Sequence, residues 1–140
     1  MIKKYLSILF VLYLIPSVSY AKSKYFQEGV ELYNKNNFED AKFKFEQDIV
    51  FNPRSELSYL YLSKIFNKQD KRNLEEQNLN TVMLINPKNE EAIYNLAKLK
   101  LSSSDYQKSE ELNKRLKSIC SSYCGKSDKL KTEIENLSKK

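Results

Sequence analysis

The sequence predicts an all-α protein: a right-handed helical solenoid of three helix-turn-helix units, closed by a C-terminal capping helix. The main observation is a repeat, since Pro53 and Pro87 each follow an asparagine near the end of a periodic apolar stretch. Their separation matches the period of about 34 residues that is typical of stacked helix pairs. A further apolar face lies near the C-terminus, on Leu130, Ile134 and Leu137, and indicates one more helix that covers the end of the stack.

Residues 1–21 predict a signal peptide. Lys3 and Lys4 precede an apolar run over residues 5–15, Pro16 ends the run, and small residues lead to a cleavage site after Ala21. The run is shorter than the roughly twenty residues that a spanning helix needs. We therefore expect a periplasmic or secreted protein without stable membrane insertion after cleavage. The alternative is a chain tethered to the membrane by an uncleaved segment.

The two prolines also set the boundaries of the units. If each proline is position 32 of a unit, the repeats span residues 22–55, 56–89 and 90–123, and a capping helix with a short tail spans 124–140. This division predicts seven helices after the signal peptide, all belonging to one domain.

The first unit shows the features that bring two helices together. Gly29 and Ala41 are small residues that allow close approach, and aromatic residues fill the space beside that contact. Asn36 and Asn37 are expected to form the turn, because asparagine tolerates the left-handed conformation that ends a helix.

This pattern resembles the tetratricopeptide repeat family over nearly the whole chain after residue 21. The resemblance implies a scaffold that binds a protein or peptide segment in a concave groove, which the first helix of each unit lines. The alternative is a plain helical bundle with accidental aromatic spacing. The matching residues, at family positions 4, 8, 11, 17, 20, 24 and 32, are Tyr25, Gly29, Leu32, Phe38, Ala41, Phe45 and Pro53.

The second and third units depart from the family pattern. Glu75 occupies a position where the family prefers alanine, so we expect the second helix pair to open or its register to slip by one residue. The third unit lacks the proline, and residues 118–125 close it. Gly125 is expected to end the preceding helix, and Ser127 to cap the last one.

The resemblance places the groove chiefly at family positions 2, 5, 9 and 12, and position 2 is occupied by Ser23, Leu57 and Glu91. The apolar and aromatic side chains at these positions, with two lysines, suit an extended or helical partner segment. For Leu57 and Leu60 the alternative is packing between repeats. The residues with which chaperone-tail adaptors of the family hold a terminal carboxylate are absent here, so we expect recognition through apolar anchors. The predicted groove residues are Phe26, Val30, Tyr33, Leu60, Lys64, Asn67, Tyr94, Lys98 and Leu101.

Composition argues against an enzyme and against cofactor or metal binding. The chain has no histidine and only two glycines, which excludes histidine-based nucleophile arrangements, most zinc sites and Gly-rich phosphate loops. Adjacent glutamates such as Glu75-Glu76 and Glu90-Glu91 are expected on solvated helix faces. The net charge is +6 with basic and acidic residues interspersed, so nucleic acid is not an expected partner.

Cys120 and Cys124 are expected to form a disulfide, as two cysteines of an exported protein commonly do. In a continuous helix their Cα atoms would be about 6 Å apart, toward the long end of the disulfide range, so a helix should end between them. The alternatives are a redox pair, or a metal site completed by a second chain.

Taken together, the sequence predicts a periplasmic, non-enzymatic scaffold or adaptor for protein–protein interaction in cell-envelope assembly or maintenance. One alternative is a self-associating structural subunit that forms a homo-oligomer. The other is a thiol-redox or metal-dependent factor that uses Cys120 and Cys124.

Overall fold

Seven helices make up the described part of the chain, residues 23–139, in a computed structural model. Each helix packs on its neighbours along the chain, and α5 also contacts α7. The predicted all-α solenoid is confirmed, while the predicted signal peptide and its cleavage site lie outside the described residues. The helices are α1 Lys24–Asn34, α2 Phe38–Phe51, α3 Glu56–Lys68, α4 Arg72–Ile85, α5 Glu90–Ser102, α6 Tyr106–Ile119 and α7 Cys124–Leu137.

The backbone turns repeat with the same period as the sequence. Asn36, Asp70 and Ser104 have φ angles of 59°, 52° and 63°, and they are the non-glycine residues with positive φ in residues 23–139. The turn at Asn36 is the predicted one. Helices α2, α4 and α6 begin at a constant spacing, which equals the separation of the two prolines. The expected slip of register around Glu75 therefore does not occur.

The last helix occupies the place of the first helix of a fourth unit. It begins at Cys124, one full period after α5 begins at Glu90. Ser127 does not cap it, because the helix starts earlier and Ser127 is buried inside its first turns, where its hydroxyl donates to Asn113 Oδ1 at 2.8 Å. Gly125 likewise lies within α7 and does not end α6.

The hydrophobic core divides into two clusters of different composition. The cluster between α1, α2 and α3 is largely aromatic, and its centre is the fully buried ring of Phe45, which stacks on Tyr61 at 4.9 Å between centroids. The second cluster is mainly aliphatic and joins α3 to α7; its buried members include Leu79, Val82, Ile93, Leu96, Leu116 and Leu130.

Gly29 is required by the approach of α1 to α2. A Cβ atom there would lie 2.7 Å from Cε1 of the enclosed Phe45 ring. Gly29→Ala is expected to lower the free energy of unfolding by about 1 kcal/mol, because overpacking outweighs the gain in helix propensity of about 1 kcal/mol. A Cβ atom at Gly125 would have no neighbouring atom within 4 Å. Gly125→Ala should therefore raise the free energy of unfolding by about 0.5–1 kcal/mol.

Urea denaturation of both glycine variants against the wild type tests this contrast. Stabilisation by Gly29→Ala, as by Gly125→Ala, would show that the Phe45 ring moves aside at little cost.

A buried carboxylate joins the first unit to the second. Asp48 is 1% exposed. It accepts hydrogen bonds from Ser23 at the start of α1, and from the hydroxyls of Ser55 and Ser58 at 2.5 Å each. Hydroxyl donors thus replace the cation that a buried carboxylate ordinarily needs.

Glu90, the first residue of α5, holds the start of the capping helix in a similar way. Its carboxylate accepts the backbone N–H groups of Ser121 at 2.8 Å, Ser122 at 3.0 Å and Tyr123 at 2.8 Å. The Ser121 hydroxyl and these N–H groups hold the pKa of Glu90 below its usual value. Glu90 is therefore a structural acceptor, whereas the sequence predicted a solvated acid.

Candidate protein-binding groove

The central groove is a hollow of about 600 Å³ formed by the C-terminal half of α3, the start of α4 and one side of α5 along its length, with Tyr33 of α1 at its side. A second hollow of about 500 Å³ lies between α1 and α3. We call it the α1–α3 hollow. Both are lined by Lys64 and Glu91, so the two form a continuous surface across the first helices of the three units.

Six of the nine predicted groove residues line this surface without being fully buried. Val30 lies in the α1–α3 hollow, and the other five line the central groove. Five of the six are half-buried and Asn67 is exposed. The five in the central groove are Tyr33, Lys64, Asn67, Tyr94 and Lys98.

The other three predicted residues belong to the core. Phe26, Leu60 and Leu101 are only 5%, 4% and 6% exposed. Phe26 and Leu60 form the floor of the α1–α3 hollow, whereas Leu101 lines neither hollow. Their contribution is therefore packing beneath the surface. Leu57, at 37% exposure, is the more accessible apolar residue of that hollow.

The groove lysines are held by acids on other helices. Lys64 Nζ lies 2.7 Å from Glu91 Oε1, and 4.9 Å from the centre of the Tyr61 ring. Lys98 Nζ lies 2.6 Å from Glu133 Oε2 on the capping helix. These pairs orient both lysines along the groove wall, so neither offers an unpaired charge to an incoming acidic group.

The loop between α6 and α7 contacts the groove residue Tyr94 from outside the groove lining. Cys120 and Cys124 are disulfide-bonded with a Cα–Cα separation of 5.2 Å. As expected, they do not share one continuous helix, but α6 ends at Ile119, just before Cys120, and α7 begins at Cys124. The loop places the Tyr123 ring edge-on to Tyr94 at 5.6 Å. Sequence reasoning did not identify Tyr123.

Glu75 is the groove residue that sequence reasoning placed wrongly. It is 4% exposed, lies in the first turn of α4 and lines the floor of the central groove. Asn67 Nδ2 donates to both carboxylate oxygens at 3.1 Å. The helix pair thus accommodates a carboxylate where the family prefers alanine, with Asn67 as its donor.

Glu75→Gln is expected to raise the free energy of unfolding near pH 7 by about 1 kcal/mol, the low end of the cost of burying an incompletely bonded polar group. Burial raises the pKa of Glu75 above 4.5, and the negative charge of Asp70 raises it further. The hydrogen bond from Asn67 and the positive charge of Arg72 lower this pKa, but they do not offset the effect of burial. The folded chain therefore holds this proton more tightly than the unfolded chain. Wild type should lose stability relative to the variant as pH rises from below 4.5 through the raised pKa.

Urea denaturation near pH 3 and pH 7 measures this difference. The matched control is Glu76→Gln, one residue further on, whose half-buried carboxylate pairs with Lys100 at 2.6 Å and should gain nothing on neutralisation. A gain for Glu75→Gln that is equal at both pH values would contradict a buried, ionised carboxylate.

No helix within residues 23–139 combines the length and the apolar character that a membrane span requires. The same residues contain no group of three or more Cys, Asp or Glu side chains placed to hold a metal ion.

Solved structures with this architecture are tetratricopeptide repeat domains. The first such domain of Spaghetti (RPAP3), bound to the HSP90 peptide SRMEEVD, matches with a TM-score of 0.72 and 10% identity, over 81% of this chain and 90% of that one. The TPR2B domain of yeast Sti1, in a complex with pHsp70, matches with a TM-score of 0.74 and 15% identity, over 82% of this chain and 99% of that one.

A bacterial structure matches equally well. The Yersinia enterocolitica type III secretion chaperone SycD, in complex with a peptide of the translocator YopD, gives a TM-score of 0.74 and 14% identity over 84% and 93% of the two chains. No protein-family model and no curated protein matches the sequence. These likenesses establish a tetratricopeptide repeat fold.

Proposed function

We propose that this chain is a non-enzymatic, exported scaffold that holds a segment of a partner protein in the central groove. The observation that carries this proposal is the groove itself, about 600 Å³ in volume and lined by side chains from the first helices of three successive units. Its size falls within the range of binding clefts, about 300–1,000 Å³. Tyrosines at its side and polar groups on its floor suit a peptide that carries both apolar and polar side chains.

The structural neighbours support binding of a peptide segment. Three of them are complexes with HSP90, pHsp70 and YopD components. At identities of 10–15% they share the fold with this chain and do not identify its partner. The partner chemistry must therefore come from the groove residues.

The periplasmic or secreted location rests on the N-terminal sequence, with its two lysines, short apolar run and small residues before Lys22. A chain exported to the periplasm would meet its partners in the cell envelope, so we propose a role in envelope assembly or maintenance. Separation of membrane, periplasmic and medium fractions, with N-terminal sequencing of the recovered chain, tests the location and the cleavage after Ala21.

Photo-crosslinking in living cells tests the groove. A photoreactive residue replaces half-buried Tyr94 in the groove, and a second variant carries it at Lys131, which is exposed on the capping helix. We expect capture of a distinct protein from position 94 alone. Equal capture from both positions, or capture of nothing from position 94, would count against the groove as the binding surface.

Self-association is the second candidate, favoured by exposed apolar residues outside the groove. Val50 and Leu84 are 75% and 83% exposed and occupy equivalent positions of α2 and α4, one period apart. Light scattering over a range of concentrations distinguishes this function. A mass that rises with concentration, and returns to that of one chain in Val50→Gln with Leu84→Gln, would favour it.

Replacing both Cys120 and Cys124 by serine is expected to lower the free energy of unfolding by about 2 kcal/mol, the entropic value for a short closed loop. Partner binding should persist once the variant is folded, since neither cysteine lines the groove. Thermal unfolding with and without a thiol reductant measures the effect, and the double variant serves as the control that the reductant leaves unchanged. Loss of activity at unchanged stability would instead favour the redox alternative.

A further inference from the structure

Glu75 interrupts a row of small buried residues. The equivalent residues of the three units, where α2, α4 and α6 approach the preceding helices, are Ala41, Glu75 and Ser109, with exposures of 0%, 4% and 0%. Only the central unit carries a charge at this point. Ionising a buried carboxylate costs stability unless donors surround it. Residues that reduce stability in this way are concentrated at binding sites.

The carboxylate of Glu75 has fewer donors than it can accept. Its two oxygens have about four acceptor positions, and Asn67 Nδ2 supplies the hydrogen bonds at 3.1 Å to each oxygen. Arg72 on the same helix pairs with Asp70, at 3.1 Å from Nε to Oδ1. Among residues 23–139, no lysine or arginine forms an ion pair with Glu75.

The remaining cations of the groove are directed elsewhere. Lys64 pairs with Glu91 and Lys98 with Glu133. Lys68 lies over the Phe38 ring, 5.2 Å from its centre. The other two carboxylates that line the groove, Asp70 and Glu91, thus each form an ion pair, whereas Glu75 at the floor forms none with a described residue.

We infer that Glu75 receives a basic side chain, lysine or arginine, from the partner segment bound in the central groove. This inference rests on the proposed function and specifies the chemistry of the partner. An ammonium or guanidinium group would donate charge-assisted hydrogen bonds to the oxygens that Asn67 leaves under-satisfied. Tyr33 and Tyr94 line the same groove, and aromatic faces attract cations as well.

Small cations test the site before any partner is known. The full-length chain, uniformly labelled with nitrogen-15, is titrated with n-butylguanidinium or n-butylammonium chloride, and amide shifts are compared with those in sodium chloride of equal ionic strength. We expect the Asn67 side-chain amide and the Glu75 backbone amide to shift with saturation. Glu75→Gln should weaken binding about tenfold, as expected for one charge-assisted hydrogen bond. Whichever cation binds more tightly indicates whether the partner residue is arginine or lysine.

The matched control is Glu91→Gln, which removes a groove carboxylate that already has its cation and should change the affinity less than Glu75→Gln does. Equal affinities in wild type and Glu75→Gln, or shifts confined to other sites, would overturn the inference. The fold of each variant is checked by circular dichroism, and Glu75→Gln is expected to be at least as stable as wild type near pH 7.

The two proposals can fail separately. A partner captured at position 94 that binds Glu75→Gln as tightly as wild type would overturn the basic anchor and leave the scaffold function standing. Cation binding that depends on Glu75, with no partner captured at position 94, would support the anchor site and count against the scaffold function. Replacing the basic residues of a captured segment one at a time by glutamine should weaken binding about tenfold at one position, and Glu75→Gln should abolish that difference.

Discussion

Phe45→Ala is expected to lower the free energy of unfolding by about 3–5 kcal/mol, the range for removing a fully buried aromatic ring. The Phe45 ring is fully buried, stacks on Tyr61 at 4.9 Å and lies 5.9 Å from Phe26, between centroids. Its removal leaves a cavity shared by α1, α2 and α3. Phe26 and Tyr61 could fill this cavity only by leaving their present positions. Because native domains are stable by only about 5–15 kcal/mol, this change threatens the whole first unit.

Phe43→Ala provides the matched control for this effect. It lies on the same helix two residues earlier, and its ring is 57% exposed. We expect a change within about 0.5 kcal/mol, as for most surface substitutions. Urea denaturation followed by circular dichroism measures both variants. A loss for Phe45→Ala no larger than that for Phe43→Ala would show that the aromatic cluster does not stabilise the fold.

Asp48→Ala is expected to lower the free energy of unfolding by about 3 kcal/mol, because hydrogen bonds to a charged group contribute about 1.5–3 kcal/mol and buried hydroxyls would lose their acceptor. The carboxylate holds Ser23, Ser55 and Ser58 around one point. It therefore couples the first unit to the second through polar contacts, beside the apolar packing. Asp48→Asn, which retains one acceptor oxygen, should lose less.

The control is Asp128→Ala on the capping helix, an exposed aspartate that pairs with Lys117 at 2.7 Å. Surface ion pairs contribute about 0–1 kcal/mol, so the two alanine variants should differ clearly in urea denaturation. A double-mutant cycle with Ser58→Ala separates the hydroxyl bond from packing. Strict additivity of Asp48→Ala and Ser58→Ala would mean that their contact contributes nothing.

The fold could be predicted because the repeat is marked by residues with backbone roles. Pro53 and Pro87 both follow helices, and Asn36 adopts the left-handed turn conformation. The equivalent turns at Asp70 and Ser104 are less evident, since either residue also suits a helix cap. The predicted cap of the last helix, Ser127, was wrong because α7 already begins at Cys124, directly after the disulfide loop, with Tyr123 at the cap position.

The site could be predicted only in outline. Family positions locate residues on the first helices, but they do not distinguish a groove wall from the core beneath it, and Leu101 is the clearest example. The burial of Glu75 depends on which helix faces meet. A signal was nevertheless present, because Glu75 stands where the other units have Ala41 and Ser109, and an amide donor, Asn67, lies eight residues before it.

The packing of each helix mainly on its chain neighbours also governs how the protein gains and loses its structure. Contacts between residues close in sequence require little loop closure, and chains dominated by such contacts fold within microseconds to milliseconds. Linear stacks also open locally, with the terminal helices separating before the central ones. The helices that form most of the central groove, α3 to α5, would then be the last to lose hydrogen-exchange protection, so the proposed binding surface stays ordered while either end of the stack frays.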